Sequence, residues 1–244
     1  MRTIKLILEY DGTDFHGFQR QRCLRTVQGV LEERFSRLLG EEIRVAGAGR
    51  TDAGVHALGQ VVSFRTTRPI GLDRLARVLN AALPGDVKVQ ACEEVDGTFH
   101  PRRCARSRTY RYTVVEREMP SPVVGRFALV LPGPLDVAAM SGAARPLLGR
   151  HDFAAFQAAG SETATTERTL MRLDCARAGS RIEVTAEADS FLYHMVRLLA
   201  GGLIRVGRGE LRPEALVGAL ETRQRLPKCL PAPACGLCLV TVSY

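Results

Sequence analysis

The chain has 244 residues, of which 45% are hydrophobic and 25% charged, and its 34 basic and 26 acidic residues leave a formal net charge of +8. This length and apolar content fit one large or two modest folded domains and exclude disordered and fibrous proteins. The apolar run at 198–204 is flanked by arginines and is far shorter than the roughly 20 residues that a membrane-spanning helix needs. Residues 1–10 lack a signal-peptide pattern, so we expect a cytoplasmic protein without a membrane segment.

Arginine supplies nearly all of the positive charge, and a guanidinium pairs with phosphate bidentately and stacks on bases. A basic excess favours a polyanionic partner such as nucleic acid, although the codon bias of a GC-rich genome produces the same composition. Two arginine clusters favour nucleic acid. They are Arg20, Arg22 and Arg25 in one loop, and Arg102, Arg103, Arg106, Arg108 and Arg111 around a strand that contains Tyr110 and Tyr112.

The seven cysteines are scattered and odd in number, which is not the layout of a disulfide framework. We therefore expect reduced thiols. Cys235 and Cys238 have the spacing of a zinc-binding pair, but no second such pair exists and no histidine follows them. Because structural zinc needs four ligands, the sequence favours thiols over a metal site.

The first half of the chain alternates strand and helix patterns. Ile4, Leu6, Leu8 and Tyr10 alternate as a strand that ends at a turn signal. Apolar residues between 27 and 39 recur at helical spacing, with Thr26 as the N-terminal cap and Gly40 at the end. Further patterns predict strands at 59–65 and 87–92 and a helix at 72–82.

The second half repeats this order, with a strand at 109–115, a helix at 137–148, strands at 170–176 and 181–188, helices at 191–206 and from Pro213, and a last strand at 237–243. Two halves of similar order predict an α+β fold in which two RRM-like or ferredoxin-like halves place antiparallel sheets side by side, with a central active-site cleft. We set the boundary where the second arginine cluster begins. The predicted domains are 1–105, which carries the Asp52 loop described next, and 106–244, which completes the cleft.

Glycines surround the segment 50–52, which places an arginine and a carboxylate, Asp52, in one short loop between Gly47 and Gly54. So much glycine beside charged groups predicts a tight loop that approaches another group closely. An ordinary aspartate-containing turn is one alternative. A phosphate-binding glycine loop is another, but no Lys-Ser or Lys-Thr pair follows and Asp52 would repel a phosphate.

Six segments together resemble the TruA family of tRNA pseudouridine synthases, in that family's order and over nearly the whole chain. They are EYDGTDFHGFQRQ at 9–21, GRTDAGVHA at 49–57, FHPRRCARSRTYRY at 99–112, GRHDFAAF at 149–156, FLYHMVR at 191–197 and APACGL at 232–237. The chain departs from the family pattern at Phe18, where Trp is usual, at Thr109, where a basic residue is usual, and at Cys235, where His is common.

The resemblance implies an enzyme that breaks the C1′–N1 bond of a uridine, rotates the base and rejoins it through C5, without metal or cofactor. It implies a homodimer that modifies positions 38 to 40 in the anticodon arm of tRNA. Asp52 matches the essential carboxylate, which acts as a nucleophile or as a base and electrostatic partner of the sugar. Tyr110 matches the tyrosine that stacks on the target base, and Arg197 is the candidate partner that keeps Asp52 ionised.

Residue patterns alone leave alternatives open for two of these roles. Arg197 lies in an apolar helix, so its head is expected in a cleft or beside an acid, but a surface arginine with a buried stem fits as well. Tyr110 and Tyr112 share one strand face, so both can be half-buried sheet residues. For these two roles the choice rests on the resemblance.

Other matched residues receive RNA-binding or structural roles. The resemblance suggests that Arg50 fills the gap left by the extruded uridine. We expect RNA contacts from four more arginines, and structural or RNA-contacting roles for three histidines. The arginines are Arg20, Arg22, Arg102 and Arg108, and the histidines are His56, His151 and His194.

Two competing functions are disfavoured. A non-catalytic RNA-binding protein of two RRM-like units would carry an RNP-type aromatic motif, which the chain lacks. A phosphate-binding metabolic enzyme would carry a nucleotide fingerprint, which is also missing.

Overall fold

A computed structural model describes residues 1–160, 163–227 and 230–244. Within these ranges the fold is mixed α+β, with mostly antiparallel strands and five α-helices, none of which is long and apolar enough to cross a membrane. The elements in chain order are β1 (Arg2–Tyr10), α1 (Val27–Leu39), β2 (Ala46–Gly47), β3 (His56–Thr66), α2 (Leu72–Ala82), β4 (Val87–Val95), β5 (Ser107–Glu116), β6 (Leu129–Leu131), α3 (Val137–Ala144), β7 (Gly149–Asp152), β8 (Glu167–Ala178), β9 (Arg181–Ala188), α4 (Met195–Gly207), α5 (Glu214–Thr222) and β10 (Leu237–Ser243).

The chain divides into two compact units. Unit 1 comprises Met1–Arg106 together with Leu239–Tyr244, and unit 2 comprises Ser107–Cys238. The last residues lie with unit 1 because β10 pairs with β3 and because the Tyr244 hydroxyl donates to the Pro101 carbonyl at 3.0 Å. The sequence analysis assigned the whole of this last strand to the second predicted domain. Its pairing with a strand near the start of the chain leaves no signal in the local sequence.

Unit 1 contains a sheet with the strand order β4-β1-β3-β10, and β2 pairs with β3. Strand β1 runs antiparallel to both neighbours, so that Leu6 lies opposite Val62 and Cys92. The alternation predicted for β1 is confirmed, since Ile4, Leu6, Leu8 and Tyr10 are all buried. Each fully buried leucine or isoleucine contributes about 1.5–3 kcal/mol, which ties this strand into the core.

Both predicted boundaries of α1 are confirmed. The Thr26 hydroxyl accepts a hydrogen bond from the Gly29 N–H at 3.3 Å, and Gly40 ends the helix in the left-handed conformation with φ 66°. The buried side of α1 packs on the sheet, where the rings of Phe35 and Phe64 lie 5.5 Å apart.

Unit 2 contains strands in the order β5-β9-β8-β7, all paired antiparallel, and β6 pairs parallel with β5. Two helices differ from their predicted bounds. The helix predicted at 137–148 ends at Ala144 and continues as a 3₁₀ turn that contains Pro146. The helix predicted at 191–206 begins at Met195, because His194 adopts the left-handed conformation with φ 61°, which a right-handed helix cannot include.

Candidate active site

In unit 1, Asp52 lies in the loop between β2 and β3, which we call the Asp52 loop (residues 48–55). Its side chain is half-buried, and its carbonyl accepts from the Val55 N–H at 3.2 Å, which closes a turn. The preceding residue, Thr51, is buried, and its hydroxyl lies 2.8 Å from the Tyr10 hydroxyl. The Asp52 loop therefore presents its carboxylate next to an anchored, buried threonine.

Gln60 supports the same loop from β3. This fully buried amide donates to the Gly49 carbonyl at 3.0 Å and to the Tyr10 hydroxyl at 3.4 Å. The Tyr10 hydroxyl therefore joins Gln60 to the Thr51 hydroxyl in one buried group of hydrogen-bonding side chains. Sequence reasoning missed this network of Tyr10, Thr51 and Gln60. Its one signal was a glutamine within the apolar run at 57–62.

The segment 11–18 packs closely on the Asp52 loop. A Cβ on Gly12 would lie 2.0 Å from the Val55 carbonyl oxygen, and one on Gly17, with φ +87°, would lie 2.9 Å from the Thr51 carbonyl oxygen. That Thr51 carbonyl also accepts from the Phe18 N–H at 3.0 Å. The first two segments of the family resemblance thus meet in unit 1, and glycine permits the approach.

The glycines within the loop region differ in their surroundings. A Cβ on Gly47 would lie 2.5 Å from the Phe18 ring, and Gly54 has a φ of 78°. Gly49, by contrast, has no atom within 4 Å of an added Cβ. The tight loop predicted from the glycine content thus depends on Gly47 and Gly54 rather than on Gly49.

The arginines proposed for RNA contacts in unit 1 are not equivalent. Arg20 is exposed over 59% of its side chain, but its guanidinium lies 3.0 Å from the carboxylate of Glu32, which is only 5% exposed. Arg22 and Arg50 are exposed, and neither forms a hydrogen bond or ion pair with another residue in the described ranges. Arg102 is also exposed, and its backbone N–H donates to the His100 ring at 3.2 Å. Arg20 therefore has a structural partner, whereas Arg22 and Arg50 present free guanidinium groups.

In unit 2, the two tyrosines of β5 differ in their surroundings. Tyr112 is fully buried and donates to the Pro233 carbonyl at 2.9 Å. Burial raises the pKa of Tyr112, so its hydroxyl stays a proton donor. Tyr110 is 9% exposed, and its ring meets the edge of Phe191 at a centroid distance of 5.3 Å and an angle of 89°. Tyr112 thus has a structural role, and Tyr110 is positioned by ring packing.

Arg197 lies half-buried in the first turn of α4. Its Nε donates to the Ala232 carbonyl at 2.7 Å, and one terminal nitrogen lies 3.2 Å from His194 Nε2. The Ala232 N–H in turn donates to the Arg197 carbonyl at 3.0 Å. The guanidinium is therefore hydrogen-bonded within unit 2 and does not extend freely into solvent as the surface alternative assumed.

The remaining matched residues lie in structural positions. Arg108 is 9% exposed, and its guanidinium donates to the Asp189 carbonyl at 2.5 Å, so it offers little surface to a phosphate. His56 is buried, and its Nδ1 accepts from the Gly12 N–H at 3.0 Å. His151 Nε2 lies 2.8 Å from the Leu148 carbonyl oxygen. Of the structural or RNA-contacting roles expected for His56 and His151, these contacts favour the structural one.

The structure thus brings Asp52 and Arg50 together in one loop of unit 1, with Arg20 and Arg22 on the neighbouring segment. In unit 2, Tyr110 and Arg108 lie on β5, and Arg197 lies on α4. Among the described residues, no group of three or more His, Cys, Asp or Glu side chains is arranged to hold a metal ion. Cys235 is half-buried, and burial raises its pKa. Cys229 lies outside the described residues.

Comparison with known proteins gives concordant matches. A family model described as tRNA pseudouridine synthase matches residues 6–102 and 143–244. A tRNA pseudouridine synthase A of Pelobacter propionicus is 44% identical over 244 residues, and one of Acetivibrio thermocellus is 41% identical over 244 residues. A third, from Moorella thermoacetica, is 44% identical over 246 residues. Each alignment covers 100% of this chain and 100% of the relative.

Proposed function

The chain belongs to the family of tRNA pseudouridine synthases, which are isomerases, and from this membership we propose that it converts uridines at positions 38 to 40 in the anticodon arm of tRNA. We further propose that Asp52, Tyr110 and Arg197 carry the reaction. The observation that carries the proposal is the Asp52 loop, whose backbone is fixed by segment 11–18 and whose carboxylate stays half-buried. A fixed, partly desolvated carboxylate suits attack on a sugar carbon or stabilisation of developing positive charge there.

The reaction moves one glycosidic bond and changes no overall composition. The C1′–N1 bond breaks, and Asp52 attacks C1′ or stabilises the positive charge on the sugar. The freed uracil rotates and forms the C1′–C5 bond, after which the hydrogen on C5 leaves as a proton and N1 takes one up. No group outside the protein and the RNA is needed to balance the atoms.

Tyr110 and Arg197 serve the detached base and the carboxylate. The Tyr110 ring, held edge-on by Phe191, provides a face on which uracil stacks while it rotates. Arg197 offers a guanidinium whose plane is set by Ala232 and His194, and its pairing with the Asp52 carboxylate rests on the resemblance of the segment 191–197. Arg50 is exposed two residues before Asp52, which suits a side chain that replaces the extruded uridine in its stack.

Substrate recognition in this proposal depends on shape and phosphate contacts. Exposed arginines such as Arg22 and Arg102 suit phosphate binding, since RNA helices are recognised mainly through their backbone. A homodimer in the cytoplasm would contact the tRNA at a distance from the modified base.

Site-resolved mapping of pseudouridine tests the proposal. Unmodified tRNA transcripts with uridine at 38, 39 or 40, one position at a time, are incubated with the wild-type chain, with Asp52→Asn and with the control Asp73→Asn on α2. We expect pseudouridine at these positions with the wild-type and Asp73→Asn. Asp52→Asn should bind tRNA normally but lose about 10⁴-fold or more in rate, as when a nucleophile or sole base is removed.

Three results would overturn the assignment. Pseudouridine only at other positions would reject the anticodon arm, and ordinary turnover by Asp52→Asn would reject the carboxylate. Tight tRNA binding without any pseudouridine would favour the non-catalytic RNA-binding alternative.

A further inference from the structure

His194 adopts an unusual backbone conformation directly before α4. Its φ of 61° and ψ of 8° place it in the left-handed region, which is unfavourable for residues other than glycine. The position caps the helix, yet the imidazole makes no capping hydrogen bond. The side chain is therefore directed to something other than the helix end.

The imidazole contacts the Arg197 guanidinium instead. Its Nε2 lies 3.2 Å from a terminal nitrogen of Arg197, and a guanidinium has only donors, so Nε2 must be the acceptor. The ring is then neutral and carries its hydrogen on Nδ1. Tyr193 stacks on this ring at a centroid distance of 3.9 Å and an angle of 29°, which restricts its rotation.

Two acceptors therefore fix the guanidinium within unit 2. The Ala232 carbonyl binds Nε and His194 binds a terminal nitrogen, so two N–H groups of one rigid plane have partners in different segments. We propose that His194 is a positioning residue that sets the plane of Arg197 through a neutral imidazole protonated on Nδ1. The catalytic part of this inference rests on the proposed function of Arg197, whereas the tautomer does not.

A variant series separates the acceptor from the ring and from the backbone. His194→Phe keeps a ring but removes the acceptor, and a misplacement of about 1 Å in an active site can cost 10²-fold in rate. We expect His194→Phe to lower single-turnover pseudouridine formation by roughly 10²-fold without changing tRNA affinity. His194→Gln, which places an acceptor near the position of Nε2, should recover most of the rate.

Two further variants serve as controls. His194→Asn tolerates the left-handed backbone but is too short to reach the guanidinium, so it should stay impaired. His151→Phe, at a histidine whose Nε2 lies beside the Leu148 carbonyl oxygen in unit 2, should turn over like the wild-type. In an Arg197→Met background, His194→Phe should add little, because coupled residues are not additive.

Nitrogen-15 NMR of the imidazole tests the geometry independently of activity. We expect Nδ1 to carry the hydrogen in the wild-type and the preference to weaken in Arg197→Met. A hydrogen on Nε2, near-native turnover by His194→Phe, or equal losses in His194→Phe and His194→Gln together with a lower Tm would overturn the proposal. If Arg197→Met turns over normally while the tautomer is as expected, the role of Arg197 in the proposed function fails and the His194 contact stands.

Discussion

In unit 1 the Asp52 loop is held largely through its backbone, whereas in unit 2 the Arg197 guanidinium is held through hydrogen bonds to its own side chain. The loop depends on glycines such as Gly12 and Gly17, whose hydrogens face backbone carbonyls with no room for a methyl group. The guanidinium depends on two acceptors, Ala232 and His194.

This difference determines which substitutions matter in each region. A short carboxylate has few rotamers, so fixing the backbone largely fixes the acid. A long arginine side chain has many rotamers, and fixing it in one of them costs up to about 1.5–2 kcal/mol of conformational entropy. Its guanidinium therefore needs hydrogen-bond partners of its own. We therefore expect the Asp52 loop to lose its geometry when a glycine that permits close backbone approach is replaced. At the start of α4, we expect the geometry to be lost when a side chain that contributes to the hydrogen bonds of Arg197 is replaced.

Among the groups that support the candidate site, the largest effect is expected at the Arg197 guanidinium itself. Arg197→Met keeps much of the stem but removes the donors, and loss of one charged group that stabilises a transition state costs about 10²–10³-fold in rate. Arg205→Met, eight positions further along α4, is the matched control and should retain near-native turnover. Single-turnover rates at saturating enzyme measure both, and equal rates would show that Arg197 serves packing only.

Gly12→Ala should give the next largest effect and tests the backbone part of the comparison. The new Cβ would lie 2.0 Å from the Val55 carbonyl oxygen, so the loop must move, at a cost of about 1–3 kcal/mol or more in stability and roughly 10²-fold in rate. Gly49→Ala meets no atom within 4 Å and should be tolerated. Thermal unfolding and turnover are measured for both variants. Equal Tm values and equal rates would contradict the idea that close backbone approach at Gly12 fixes the Asp52 loop.

Sequence predicted the parts of the molecule that local chemistry determines. The alternation of β1 and the caps of α1 at Thr26 and Gly40 need only neighbouring residues. The start of α4 was misplaced because a left-handed histidine at 194 leaves no composition signal.

The support of the candidate site was less predictable. The contacts of Tyr10 with Thr51 and Gln60 join residues 41 and 50 positions apart, which only folding brings together. The ion pair of Arg20 with buried Glu32 was missed for a related reason. The sequence around an exposed arginine or a helical glutamate is the same whether the side chain is paired or solvated.

Tyr110 tests a third kind of support, ring packing, and a smaller effect is expected. Tyr110→Ala removes a stacking surface worth roughly 1–3 kcal/mol per base, or about 10- to 100-fold in product formation. Tyr110→Phe keeps the ring and should still cleave the glycosidic bond, and any slow step after cleavage isolates the contribution of the hydroxyl.

Tyr112→Phe is the control for Tyr110. It leaves the Pro233 carbonyl without its donor and should lower stability by about 1–3 kcal/mol while turnover of the folded protein is unchanged. Equal, near-native rates for Tyr110→Phe and Tyr110→Ala would show that Tyr110 is a half-buried sheet residue without a role in the reaction.

The smallest effect is expected where the side chain has no support. Arg22 is exposed without a partner among the described residues. Arg22→Gln should therefore weaken tRNA binding a few-fold, with no change in Tm. If Arg22 contacts one phosphate, the slope of log K against log salt should also fall by roughly 0.7–0.9.

Arg20→Gln should weaken tRNA binding and lower Tm as well, because it removes the guanidinium nearest to the buried Glu32 carboxylate. Binding titrations across salt concentrations, combined with thermal unfolding, separate the two arginines. An Arg22→Gln variant with an unchanged salt slope would remove Arg22 from the RNA-binding surface, and equal Tm values for both variants would show that the Arg20 to Glu32 pair contributes nothing measurable to unit 1.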